Sequence, residues 1–500
     1  MHRWLFVLWF GCADVRTGED PETRIAKTAS ETSVAPFSLT AATLDFDQDG
    51  HLAVVDGGDD CDDADRNTYP GAPEVCDGKA NACQTNWDES DENGVVTLFS
   101  TAYQGVPYLA PVDYTAAMSS GTIGAPASVS VPLSVGHRQE LRFCDGLYPV
   151  QLSAVMPNDW EITSLRGSSN TILDASGGTG PVILTRPTYD LNDEDNWFNL
   201  GLAMWVEASG LTIQGGGAGG LWMQDWGVFE GGLNGSDLVV RDNHGTGIRA
   251  SQMHLKRSWV TDNVSATGGG GLSGDWITVN RSTIARNQGT VGGGIFASTV
   301  SLRAVQILDN AATTQGGGVY TQSRCSSSAM SVNIEGNSAE EGGGWYANST
   351  VAITESAFIG NDAVRGGGFY GRSGETSCSD TWGATGFYSF VGVLVAENTA
   401  AEGAGVYLKG RTIQGTYGSY VHDVKFTCAP STSRVPTRFQ GNVAESGGAA
   451  WLSLTTLSSV SCDWGADDFD NGPVDLQTAA GVFDYEGEKV LTCSPQGLCG

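Results

Sequence analysis

Gly292-Gly293-Gly294-Ile295-Phe296 is the phrase whose repetition decides the fold. It returns as Gly316-Gly317-Gly318-Val319-Tyr320, as Gly342-Gly343-Gly344-Trp345-Tyr346 and as Gly366-Gly367-Gly368-Phe369-Tyr370. The first glycines, at 292, 316, 342 and 366, stand 24, 26 and 24 residues apart. A second phrase alternates with the first: an apolar residue, two spacers and an asparagine. It appears as Val260/Asn263, Ile284/Asn287, Ile307/Asn310, Ile334/Asn337, Phe358/Asn361, Val395/Asn398 and Phe439/Asn442. A fixed period of this size means one structural unit per repeat, stacked on its neighbours.

Between the phrases lie short alternating runs such as Val300-Ser301-Leu302-Arg303-Ala304-Val305 and Thr350-Val351-Ala352-Ile353-Thr354. Their period of two and β-branched content predict strands. With 69 glycines in 500 residues, helices are penalised. Three short strands and three turns fill one repeat, which predicts one coil of a parallel β-helix. The asparagine is expected at a turn, where it tolerates a left-handed backbone, and stacked asparagines can hydrogen-bond as a ladder. The glycines allow positive φ and close approach of adjacent coils. The apolar pair is expected to send one side chain inward and one outward.

The pairing of Gly-Gly-(Gly/Ala)-apolar with these asparagine tetrads, over roughly residues 240–455, resembles the repeats of the polymorphic outer-membrane proteins. The resemblance implies a right-handed parallel β-helix at a cell surface. Those proteins often end in a membrane β-barrel. After Trp451 the chain offers no series of alternating strands of about ten residues that such a barrel requires.

The chain carries 57 acidic and 26 basic residues, a net charge of −31. Such a surface repels phosphate backbones, so nucleic acid and anionic lipid are not the expected partners. Met1-His2-Arg3, the apolar run Trp4 to Phe10 and Gly11-Cys12 read as an export leader over 1–12. The leader resembles a bacterial lipoprotein site with Cys12 as the lipid-bearing residue. No transmembrane segment is expected. Residues 13–40 read as a polar tether. The expected location is the outer membrane or cell surface, or the secreted fraction.

Residues 41–93 form an acidic module. Asp45, Asp47 and Asp49, Gly50, the carbonyl of His51 and Asp56 follow the ligand spacing of a calcium loop at positions 1, 3, 5, 6, 7 and 12. Hard oxygens, a sharp glycine turn and a returning carboxylate are what the ion requires. A second frame places Asp63, Asp65, Asn67, the carbonyl of Tyr69 and Glu74 at positions 1, 3, 5, 7 and 12, with Thr68 in place of the glycine. The run from Asp60-Cys61-Asp62-Asp63 through Pro70-Gly71-Ala72-Pro73-Glu74-Val75-Cys76-Asp77-Gly78 to Asn81-Ala82-Cys83 resembles the metal-binding Asp/Cys motif of secreted bacterial surface proteins. Ala80 and Gln84-Thr85 depart from that motif. The resemblance implies metal binding rather than catalysis, and calcium is the expected cofactor. In an exported chain the cysteines are expected as disulfides rather than as ligands.

Residues 94–137 read as a linker and N-terminal cap, 138–492 as the β-helix and 493–500 as a tail. About 13 coils at ~4.8 Å each give a solenoid of roughly 60 Å. Coils are extended at 321–331, 371–391 and 408–435 and after Trp451, with one cysteine in each: Cys325, Cys378, Cys428 and Cys462. Insertions at one register emerge on one side. The preferred pairs are Cys325–Cys378 and Cys428–Cys462, and Cys493–Cys499 can close the tail. Cys61, Cys76, Cys83 and Cys144 are left without an assigned order. Trp382, Phe387, Tyr388, Phe390, Tyr417, Tyr420 and Trp464 are candidates for binding a glycan or a surface protein from these loops; equally, they can pack the loops on themselves.

A glycoside hydrolase needs carboxylates at set separation, and a lyase needs an outward base. Asn243-His244-Gly245 with Arg249 and Lys256 faintly resembles part of a polygalacturonase site, yet Asn243 also fits the ladder. Asp242, Asp262 and Asp309 read as turn residues. The leading expectation is a non-catalytic β-helix binding or adhesion protein with a calcium module. A lyase or hydrolase acting on acidic polysaccharide and a structural envelope protein are the alternatives.

Overall fold

Three short strands make a coil in the early part of the solenoid, where the repeat predicts three throughout; from Gln288 to Ser446 a fourth lies between the asparagine and the glycines, stacking Gln288–Val291, Ala311–Gln315, Ser338–Glu341, Asp362–Arg365, Thr399–Glu402 and Val443–Ser446. The computed structural model describes residues 45–72, 74–75, 77, 79–85, 95–99, 112–132, 139–156, 160–164, 167–187, 204–224, 231–322, 326–348, 350–373, 386–415, 418–422, 424–431, 435–459, 462–465, 470–472, 474–478, 481–483, 488–489 and 492–493. Residues 45–500 form one unit. In it the chain is the parallel β-helix that the repeats predict. A first face stacks Ile295–Ala297 on Val319–Thr321, Trp345–Ala347 and Phe369–Arg372. A second face stacks Gln252–Lys256, Ser327–Met330 and Val351–Thr354 with their neighbours. A third stacks Gln306–Leu308 on Asn333–Glu335 and Ala357–Ile359.

The tetrads explain the third face. Their apolar residues align in register as one inward column: Val240, Val260, Ile284, Ile307, Ile334, Phe358, Val395 and Phe439, each fully buried. Burial of each such side chain contributes about 1.5–3 kcal/mol.

Beyond that column the asparagines form a continuous ladder. The amide of Asn243 donates to Asn263 Oδ1 at 2.8 Å, and the pattern passes through Asn287, Asn310, Asn337, Asn361, Asn398 and Asn442 to Asn471. Each Oδ1 also accepts the backbone N–H of the preceding ladder asparagine, for example Asn310 N to Asn337 Oδ1 at 2.9 Å. The other amide proton goes to a carbonyl, as from Asn310 to Ile284 O at 2.9 Å. Buried amides satisfied in this way carry no desolvation penalty.

The left-handed turn residue, however, is not the asparagine. It is the residue before it: Asp242, Asp262, Arg286, Asp309, Glu397 and the glycines 336, 360 and 441, all with φ between 54° and 67°, as in Asp262 at 58° and Gly336 at 67°. None of the ladder asparagines is among the positive-φ residues, so the left-handed turn falls one position earlier.

Within each glycine triplet the three positions answer different demands. The first has φ near 60°, as in Gly292 (59°) and Gly316 (65°). At the second and third, the next coil leaves no room. A Cβ on Gly317 would stand 2.4 Å from Ser338 O, and one on Gly318 would stand 2.5 Å from Gly344 O. After the triplet, Ile295, Val319, Trp345 and Phe369 point inward and are fully buried. Their partners point outward and stack face to face: Phe296, Tyr320, Tyr346, Tyr370, Tyr407 and Trp451, with ring centroids 5.4, 5.2, 4.8, 4.8 and 4.4 Å apart.

Both ends are closed by antiparallel strands, Val95–Phe99 on Gln139–Phe143 and Gly481–Phe483 on Leu476–Thr478, which cover the open sheet edges. The solenoid starts earlier than 138, because Ala127–Pro132 already pairs in parallel with Val150–Met156. Long connections leave at one corner, between the first and second faces. They run from Thr321 to Ser327, from Arg372 to Gly386 and from Lys409 to Val424.

Of the aromatics that could either bind a ligand or pack the loops, three are core residues. Tyr388 and Phe390 lie on the second-face strand Gly386–Val391, where alternation turns them inward to full burial and leaves Phe387 outward at 40% exposure. Trp464 is fully buried and stacks on Phe439 at 5.1 Å, which makes it the apolar tetrad residue of the last coil. Trp382, Tyr417 and the side chain of Tyr420 lie outside the described residues, as do Cys12, Cys76, Cys325, Cys378, Cys499 and the side chain of Cys493. Cys428 and Cys462 are bonded, with Cα atoms 5.8 Å apart, and tie the second face to the third. Among the described residues no helix is long and apolar enough to cross a membrane.

Candidate metal centre

The acidic module packs beside the first coils, where the Arg142 guanidinium donates to Val75 O at 3.3 Å. Its loop is built by its own carboxylates. Asp45 accepts the N–H groups of Gln48 (2.7 Å) and Gly50 (3.1 Å), Asp47 that of Asp49 (3.2 Å) and Asp49 that of His51 (2.7 Å). Gln48 and Gly50 take positive φ, which curls the loop so that Asp45, Asp47 and Asp49 bring carboxylate oxygens within 4.8 Å of one another. Arg66 braces the loop from below by donating to Asp47 O at 2.9 Å.

The chain then runs on through a 3-10 turn, Val54–Asp56, and returns. Ala53 and Asp60 form a parallel bridge, with Val54 N to Asp60 O and Asp60 N to Leu52 O both at 3.0 Å. This return brings Asp60 to the loop. Asp56, expected at position 12, lies exposed on the turn and is not in the group of carboxylates that Asp45, Asp47 and Asp49 form. The disulfide Cys61–Cys83, Cα atoms 5.8 Å apart, fixes the return strand; these two sulfurs are bonded to each other and are not metal ligands. Cys144 is also disulfide-bonded.

The electrostatics are those of a cation cradle. Burial raises the Asp47 pKa to about 6, with the charges of Asp49, Asp60 and Asp45 adding to the shift. Asp49 is raised as well, by burial first and then by Asp60 and Asp45 against the hydrogen bond from His51 N. Asp47 Oδ2, Asp49 Oδ2 and Asp60 Oδ2 are buried without a hydrogen-bond partner. Asp47 is 7% and Asp60 2% exposed. Buried anionic oxygens of this kind are stable only with protons or a cation. The Asp45–Asp47–Asp49 group can hold a metal ion.

The second frame is used otherwise. Asp65 pairs with Lys79 at 2.6 Å, which also reaches Asp62 at 3.2 Å. Glu74 spends both oxygens on the backbone of Asn81 and Ala82. Asp63 accepts Phe46 N at 3.1 Å, and Asn67 N donates to Asp65 at 3.3 Å. These contacts turn the frame into scaffolding for the first loop. The Tyr69 carbonyl accepts Ala72 N at 2.9 Å, and the Tyr69 ring stacks on His51 at 4.9 Å, while His51 Nδ1 lies 3.1 Å from Asp59.

Compared with protein-family models, with curated proteins and with solved structures, the chain finds no match. The comparisons give no support to the resemblance of the repeats to the polymorphic outer-membrane proteins; the structure shows stacked parallel strands.

Proposed function

We propose that the chain is an exported, surface-held or secreted binding protein, non-catalytic, whose Asp45–Gly50 loop together with Asp60 holds calcium. The observation that carries this is the set of three buried, unpartnered carboxylate oxygens on Asp47, Asp49 and Asp60. All potential ligands are hard oxygens, and the side chains are short and mutually repelling, which suits calcium over softer metals. The disulfides Cys61–Cys83 and Cys428–Cys462 and the bonded Cys144 support an oxidising compartment. Lipid attachment at Cys12 remains part of this reading. The solenoid supplies a rigid, acidic surface on which a binding site stays fixed in shape.

Calorimetric calcium titration of the wild type, Asp60→Asn and Asp56→Asn tests the assignment. The site as drawn predicts calcium binding that Asp60→Asn abolishes and Asp56→Asn keeps. The reverse pattern, or no binding by the wild type, would overturn it.

A further inference from the structure

On the outward side of the second face, two parallel columns of side chains run along the solenoid axis in its early coils. In one column Glu161, Glu207, Asn234 and His254 are in register on four successive strands. In the neighbouring column stand Trp205, Gly232, Gln252 and Trp276. A depression of about 460 Å³ opens on the other side of the first column from the tryptophans, lined by Glu161, Glu207, Asn234 and His254 and by the next column, Ser209, Ser236 and Lys256.

Trp205 does not stand up from the sheet; it lies across it. A Cβ on Gly232 would meet the indole atoms Cε3, Cδ2 and Cε2 at 2.6, 2.7 and 2.8 Å, so only glycine lets the ring rest there. The ring continues over the next coil, where it stacks on His254 at 5.4 Å with 28° between planes. Three strands further along the same column, ~14 Å at ~4.8 Å per coil, Trp276 is 51% exposed. A flat indole on one side and a file of polar groups on the other is an amphipathic trough.

We infer that this trough binds a neutral, linear oligosaccharide laid along the solenoid axis. A pyranose ring is amphipathic in the same sense: its axial C–H groups form an apolar face, and its rim carries hydroxyls that both donate and accept. The indole of Trp205 takes the apolar face. Glu161 and Glu207 accept from hydroxyls as charged acceptors, and Asn234, His254 and Lys256 donate to them. Trp276 supplies a second platform further along the track. Two carboxylates in the trough and a net charge of −31 disfavour polyuronates and sulfated chains. The inference rests on the reading of the chain as a binding protein and gives that reading its ligand class and place.

The test is isothermal titration of the full chain with neutral hexasaccharides (gluco-, xylo- and manno-configured) and with oligogalacturonate, each in calcium and in chelator, with reducing ends assayed in parallel. At least one neutral hexasaccharide should bind. Trp205→Ala should weaken it about tenfold or more. Gly232→Ala, which keeps the indole but lifts it, should weaken it comparably. Glu207→Gln and Asn234→Ala, which leave the platform untouched, should weaken it too and keep the test valid if either platform variant melts early. Chelator should leave the affinity unchanged, because the trough and the metal loop share no residue. Preference for oligogalacturonate, no neutral ligand, or wild-type affinity in all four variants would overturn the inference. Reducing ends released in a manner lost with Glu207→Gln would overturn the non-catalytic reading and leave the trough standing.

Discussion

Replacing Asp47 by Asn is predicted to change the sign of its effect when calcium is added. In the metal-free chain at neutral pH, ionised Asp47 is a burden. Its pKa is raised from 3.8 to about 6 by burial and by Asp49, Asp60 and Asp45. The difference is about 2 units, and at ~1.36 kcal/mol per unit the charge costs the folded module up to about 3 kcal/mol. The folded state holds this proton more tightly than the unfolded chain. The cost is therefore absent below pH ~4 and fully present above pH ~6. Asparagine keeps the carbonyl that accepts Asp49 N and removes the charge, so the variant is the more stable form in chelator. Calcium then adds RT ln(1 + [Ca]/Kd) to the wild type alone, about 4.1 kcal/mol at a thousandfold excess over Kd, which exceeds that cost. Hydrogen-exchange mass spectrometry of peptides covering residues 45–60 reads both states. In chelator at pH 7 the Asp47→Asn peptides should exchange more slowly than wild type; in calcium the order should invert. Faster exchange of the variant in chelator, or equal protection of both by calcium, would refute the reasoning.

Three further outcomes concern the solenoid. Asn310→Ala removes the acceptor of Asn287 and the donor to Ile284 O and Asn337, and should cost about 3 kcal/mol or more in denaturant unfolding. Gly317→Ala and Gly360→Ala should separate steric from conformational demands. The first drives a Cβ to 2.4 Å from a carbonyl oxygen and should block the native coil, whereas the second meets nothing within 4 Å and should cost only the ~1 kcal/mol of a left-handed alanine. Burial holds the phenol pKa of Tyr346, Tyr370, Tyr388 and Tyr407 above the ordinary value of 10, Tyr407 at about 12. The unfolded chain loses these protons first. Stability should thus be independent of them below pH ~10 and fall above it, by up to ~1.4 kcal/mol per pH unit per tyrosine, as followed by thermal melts at pH 9 to 11.5.

The repeat phrases made the coil legible, because an apolar column and a buried amide ladder each demand the same residue type at every turn. Asn471 escaped that pattern. Trp464 takes the apolar position, but the chain then adds four residues before Asn471, which closes the ladder and donates to Asp475 at 2.9 Å. The same insertion disguised Trp464 as a loop residue. Tyr388 and Phe390 were legible in principle, since Phe387-Tyr388-Ser389-Phe390-Val391 alternates as a strand does, but the length of the preceding segment obscured where the strand resumes. At the metal loop, ligand spacing located Asp45, Asp47 and Asp49, which are local. It gave no sign of Asp60, whose charge acts on Asp47, because a 3-10 turn and the bridge at Ala53 bring that residue back from outside the twelve-residue frame. The trough was hidden for a related reason. Glu161, Glu207, Asn234 and His254 are far apart in the chain, and only the register of the coils brings them into one file.

Anomalous diffraction from crystals grown in calcium would test the central claim most directly. The account predicts one calcium peak enclosed by the carboxylates of Asp45, Asp47, Asp49 and Asp60. A loop without a peak, or a peak liganded by Asp56 with Asp60 turned away, would contradict it.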